Sequence, residues 1–272
     1  MRIDAHQHFW SVARGDYGWL QPGHELYRDF LPTDLAPELA AGGVQRTVLV
    51  QAAPTVAETE FMLQLAERND FVAGVVGWVD FEDPLHERHL RRLAGHDKFL
   101  GVRPMIQAIP ADDWMLQDRL AWAYRALIDA NLTFDALCLP RHLPHLYELC
   151  SRYPDLRIVI DHCAKPNIRE QQFDQWARDI ERIARDTTVM CKLSGLVTEA
   201  EADWTVDSLR PYVRHVLEVF GPARVMWGSD WPVCLLASSY QRWREAAESL
   251  IEAREAREQV FGATAARFYR LK

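Results

Sequence analysis

The chain has 272 residues, 49% hydrophobic and 26% charged, with a formal net charge of −8. That size and balance suit a single globular domain over residues 1–272 with a large core. The acidic balance, with no Lys/Arg block, argues against a nucleic-acid partner, and no apolar run approaches the roughly 18–20 residues that cross a bilayer.

Asp4, His6 and His8 interrupt the first residues, MRIDAHQHFW, so no leader peptide is expected there. Eight short runs rich in Val, Ile, Leu and Phe read as strands: 2–8, 46–52, 71–81, 99–106, 132–139, 156–164, 188–196 and 223–230. Their near-continuous apolar character fits parallel strands covered on both faces. Helical patterns lie between them, at 32–43, 57–70, 118–131, 144–153, 173–186 and 208–221. A tail over 240–269 reads as two helices broken near Gly262. Strands alternating with helices predict an α/β fold, a single (β/α)8 TIM barrel. HQHFW follows the first strand where an open doubly wound sheet would carry a Gly-rich turn. A long aromatic-rich loop after strand 1, from Phe9 to Leu35, is expected to cover one barrel mouth. The five cysteines lack C-x-x-C spacing and read as reduced thiols of a cytoplasmic protein.

Chemistry in a barrel collects at the C-terminal ends of the strands. Reading those ends in order gives His6 and His8, Trp78 and Asp80, Arg103, Asp161-His162, Lys192 and Ser194, then Ser229-Asp230-Trp231. His6 and His8 share one strand face by the period-two rule, so both can reach one metal ion or one substrate atom. A carboxylate placed like Asp230 is costly to bury unless it is paired or used. By the same alternation Asp161 is expected to point away from His162. His86 and His89 read as a solvated helix face, and the other histidines receive no role.

The motifs DAHQHFW, DHCAKP, CKLSGL and WGSDWP, in that order, resemble the amidohydrolase superfamily. More narrowly they are similar to its sugar-lactonase branch, which includes L-fuconolactonases and L-rhamnonolactonases. The resemblance implies a barrel enzyme that opens a sugar lactone with water. It implies His6, His8, His162 and Asp230 as catalytic residues, and the same four as ligands of one divalent metal ion, zinc, that some relatives do without. Arg103 stands where many relatives carry a metal-bridging lysine, so a two-metal site is not expected. In this reading Asp230 is the general base. Arg103, Lys192, Trp78, Trp231, Arg28 and Tyr27 bind the substrate, and Trp10 and Trp19 add flat apolar faces. L-fuconolactone is the first expectation, with L-galactonolactone beside it. A metal-dependent decarboxylase, a dicarboxylate lactonase and a non-catalytic sugar binder on the same barrel are the competing readings. Oligomeric state is left open.

Overall fold

A computed structural model describes residues 1–271. The apolar runs become eight parallel strands paired in chain order: β1 (Ile3–Gln7), β2 (Arg46–Val50), β3 (Val72–Gly77), β4 (Phe99–Val102), β5 (Thr133–Ala136), β6 (Arg157–Ile160), β7 (Met190–Leu193) and β8 (Val225–Trp227). The sheet curls until its first and last strands meet. Asp230 N–H donates to the His6 carbonyl at 2.8 Å and His8 N–H to the Trp231 carbonyl at 2.7 Å. This is the (β/α)8 barrel that the alternation predicts.

Each crossover is helical: α1 (Pro32–Gly42), α2 (Val56–Arg68), α3 (Glu87–Ala94), α4 (Ala121–Asp129), α5 (Leu143–Arg152), α6 (Asp174–Asp186), α7 (Leu196–Glu199) and α8 (Val206–Phe220). The tail forms α9 (Tyr240–Ser249), α10 (Arg254–Glu258) and α11 (Thr264–Tyr269). The tail breaks after α9, and not at Gly262. That glycine sits in a π-helical turn, Gln259–Ala263, joining α10 to α11, where a side chain would strike the Met1 backbone. His86 and His89 are half-buried, so the face they share is only partly solvated, and the His86 ring packs 6.0 Å from that of Trp78.

Inside the barrel, Ile3, Ala5, Val48, Val76, Val159 and Met226 form a small apolar core closed from below by Phe268 and Tyr269 of α11. A larger shell packs the helices against the outer strand faces. All five cysteines are buried and free. No helix among the described residues is long and apolar enough to cross a membrane.

Candidate active site

The pairing of β1 with β2 slips between Asp4 and Gln7. Such a slip re-aims side chains along a strand, and here it turns His6 and His8 toward the barrel axis. Their Nε2 atoms lie 3.3 Å apart. Asp230 Oδ1 stands 3.2 Å from His8 Nε2, 3.7 Å from His6 Nε2 and 3.8 Å from His162 Nε2. The structure therefore brings all four predicted catalytic residues to one buried cluster.

Asp161 joins them, contrary to the expectation that it points away. Alternation carries Asp161 inward behind Val159. His162 then turns in because the backbone from His162 to Lys165 runs left-handed, with φ of 54°, 52°, 58° and 49°. Four such non-glycine residues in succession are strained and held by their surroundings. Gly195 (φ 67°) makes room, since a Cβ there would stand 2.7 Å from the His162 ring. Ser194 Oγ fixes the ring through Nδ1 at 2.8 Å.

Below His6 lies an ionic floor, of which the strand-end reading held Lys192 and Asp161 but not Asp135 or Tyr269. Lys192 Nζ contacts Asp135 Oδ2 at 2.6 Å, Asp161 Oδ1 at 3.0 Å and His6 Nδ1 at 3.2 Å. Tyr269 Oη donates to the same Asp135 oxygen at 2.6 Å. Lys192 is wholly buried beneath His6 and so does not reach the cavity as a substrate-binding residue. Its role here is to offset two buried carboxylates.

Burial and the Lys192 ammonium hold the His6 ring well below its usual pKa, so it is neutral. Burial lowers His162 to about 4, against the pull of Asp230 and Asp161. Burial alone would raise Asp230, but the imidazoles around it, His162 foremost, hold its carboxyl well below the usual range. The site thus holds an ionised carboxylate beside the neutral rings of His6 and His162. Arg103 Nη1 adds a fixed positive charge 3.3 Å from His6 Nε2 and 3.5 Å from Asp161 Oδ2.

A cavity of about 270 Å³ opens above this cluster. His8, Arg103, His162 and Asp230 form its polar end, together with Lys165, a residue quoted in DHCAKP but given no role. Trp10, Trp19, Met105 and Leu137 form its apolar wall. Four predicted substrate-binding residues stand elsewhere. Trp231 is buried against Phe9 and Phe30, at 6.0 and 5.3 Å between rings. The Arg28 guanidinium lies over Phe30 on the outer side of the loop, and Tyr27 faces solvent. Trp78 packs on His86. The loop accounts for Arg28 and Tyr27: Trp10 and Phe30 exchange backbone hydrogen bonds at 2.9 Å, which turns 27–28 outward and Trp10 inward.

The donor set fits one divalent cation. His8 Nδ1 donates to the Val50 carbonyl at 2.7 Å, leaving the Nε2 lone pair facing Asp230 and His6. Ligand atoms about 2.0–2.1 Å from zinc at the tetrahedral angle stand about 3.3 Å apart, close to the 3.2, 3.3 and 3.7 Å seen between these three. His162 belongs to a second such group, with His6 and Asp161. The nearby guanidinium of Arg103 opposes a second ion.

Residues 3–271 match the family described as Amidohydrolase. The chain belongs to the amidohydrolase family. It is 46% identical to an L-fucono-1,5-lactonase of Burkholderia ambifaria, across 99% of this chain and 96% of that protein. An L-fucono-1,5-lactonase of Burkholderia multivorans is 37% identical across 100% of this chain and 96% of that protein. Among solved structures, a zinc-bound amidohydrolase from Burkholderia multivorans superposes with a TM-score of 0.91 at 35% identity, covering 100% of both chains. Every motif that carries the resemblance therefore lies on an amidohydrolase barrel, at the strand ends where that fold keeps its chemistry.

Proposed function

We propose that this amidohydrolase opens a sugar lactone with water, L-fucono-1,5-lactone first and L-galactonolactone beside it. The observation that carries the reading is Asp230, an ionised carboxylate flanked by His8 and His162 and lining a cavity of about 270 Å³. The near-full-length likeness to two L-fucono-1,5-lactonases supports the substrate class.

Asp230 takes a proton from a water held between it and the lactone carbonyl. His8, locked by Val50 through Nδ1, holds its Nε2 edge 3.2 Å from Asp230 Oδ1. The Arg103 guanidinium, at the polar end, meets the negative charge that develops on the carbonyl oxygen. When the tetrahedral intermediate collapses, protonated Asp230 returns its proton to the ring oxygen that leaves. His6, His8 and Asp230, with His162 beside them, would hold a divalent ion such as zinc, which when bound supplies Lewis-acid polarisation and a more acidic water. The apolar wall of Trp10, Trp19, Met105 and Leu137 suits the methyl end of a deoxysugar.

The test is acid release, followed with a pH indicator, from L-fucono-, L-galactono-, L-rhamnono- and D-sugar lactones, on chelator-treated protein with and without zinc. Fast release from the first two, lost by about 10³-fold in Asp230→Asn, is the expected result. Absence of release from every lactone, or loss of CO₂ from an aromatic acid instead, overturns it.

A further inference from the structure

The end of β2 contributes no side chain to the polar cluster, yet three of its successive carbonyls each hold a residue of the site. Val50 O accepts from His8 Nδ1, Gln51 O from the Arg103 guanidinium, and Ala52 O from the Trp19 indole at 2.8 Å. Gln51 Nε2 returns a bond to the Arg103 carbonyl at 2.7 Å.

On the reverse side of the same backbone stands Glu58, wholly buried near the start of α2. Its carboxyl oxygens accept from Ala52 N–H at 2.9 and 3.1 Å and from Ala53 N–H at 2.8 Å. The Ala52 N–H shares a peptide group with the Gln51 carbonyl, and the Ala53 N–H shares one with the Ala52 carbonyl. A peptide group is planar and stiff. Fixing its N–H therefore fixes the direction of its C=O, and so of the side chain bound there.

We infer that Glu58 is a positioning residue that acts through two peptide groups, one aiming Arg103 and the other latching Trp19 over the cavity. A buried carboxyl without a charged partner is expensive, and a plain helix start does not require one, since Thr55 already caps α2 by accepting from Glu58 N–H at 3.0 Å. Glu58 also lies too far back to touch substrate. Its function is the orientation of the two peptides.

The kinetic arm of the test rests on the lactonase reading; the spectroscopic arm does not. Glu58→Met keeps the volume and removes both acceptors, while Glu58→Gln keeps one acceptor oxygen. In Glu58→Met, amide exchange at Ala52 and Ala53 should speed up at least tenfold. The Trp19 indole N–H signal, assigned by its loss in Trp19→Phe, should move toward the solvent-bonded position. Lactone kcat/KM should fall about 10–100-fold, through both kcat and KM, with Glu58→Gln intermediate. Trp19→Phe should raise KM alone, because it breaks the latch without releasing Arg103. If Glu58→Met does not fold, Glu58→Gln carries the same test with smaller shifts. Unchanged Ala52 and Ala53 exchange and an unmoved Trp19 signal in a folded Glu58 variant overturn the inference. Wild-type protein that turns over no lactone, with the exchange and indole effects intact, overturns the lactonase reading only.

Discussion

Ser194 Oγ stands 2.8 Å from His162 Nδ1 and so decides which edge of that imidazole faces Asp230. Outer partners of this kind hold functional histidines in one ring orientation. Ser194→Ala should lower kcat about tenfold while KM stays within twofold, as read by steady-state kinetics on the best lactone. A matching loss in KM would show that the serine serves binding instead.

Arg103 depends on being planar. Its Nη2 donates to the Gln51 carbonyl while Nη1 faces His6 and Asp161. A lysine ammonium is a point charge and cannot serve both sides. Arg103→Lys should cost about 10²-fold in kcat/KM while the melting temperature stays within a few degrees. Near-wild-type turnover would remove Arg103 from the reacting end of the cavity.

The floor beneath His6 makes a different prediction, about stability. Asp135 accepts from both Lys192 and Tyr269, and none of the three groups touches solvent. Removing one member of a buried ion pair leaves the other uncompensated, at about 3–5 kcal/mol. Asp135→Ala should show that loss in urea unfolding. A loss under about 1 kcal/mol would mean that Asp161 alone satisfies the ammonium.

Glu58 predicts how stability varies with pH. Burial raises its carboxyl from 4.5 to about 8, opposed by the N–H groups of Ala53 and Ala52. The folded chain therefore favours the proton more than the unfolded chain does. That contribution is complete below about pH 4.5 and is lost as pH rises through about 8. Glu58→Gln cannot titrate, so its urea midpoint should fall less between pH 5 and 9 than that of the wild type. Parallel curves would refute the assignment.

Much of this was legible in the residues. Apolar runs marked all eight strands, and the polar residues just beyond them marked the rim. What escaped depended on backbone direction. Asp161 and His162 were read by strict alternation, but the left-handed turn that follows β6 lets both face the axis. Trp231, Arg28 and Tyr27 were read as site residues from their chemistry alone, while the pairing of Trp10 with Phe30 decides which side of the loop faces in. Thr55 and Glu58 form the T-x-x-E of a capping box. In such a box the glutamate bonds the N-cap N–H, whereas Glu58 reaches past Thr55 to Ala53 and Ala52. Only a buried carboxylate at that point could have drawn attention to it, and burial is not written in a four-residue motif.

The seam between β1 and β8 has a consequence in time. Its backbone bonds join His6 and His8 to Asp230 and Trp231, so the two ends of the chain meet at the clustered imidazoles and carboxylate. During synthesis His8 emerges early and waits for a partner 222 residues downstream. In the mechanism proposed above, a ribosome-bound or truncated chain lacking β8 has no acceptor for the water's proton, however much of the barrel it has built. With Asp230 as the proposed base, hydrolysis would begin only when the ring is shut, and turnover would serve as a clock for ring closure.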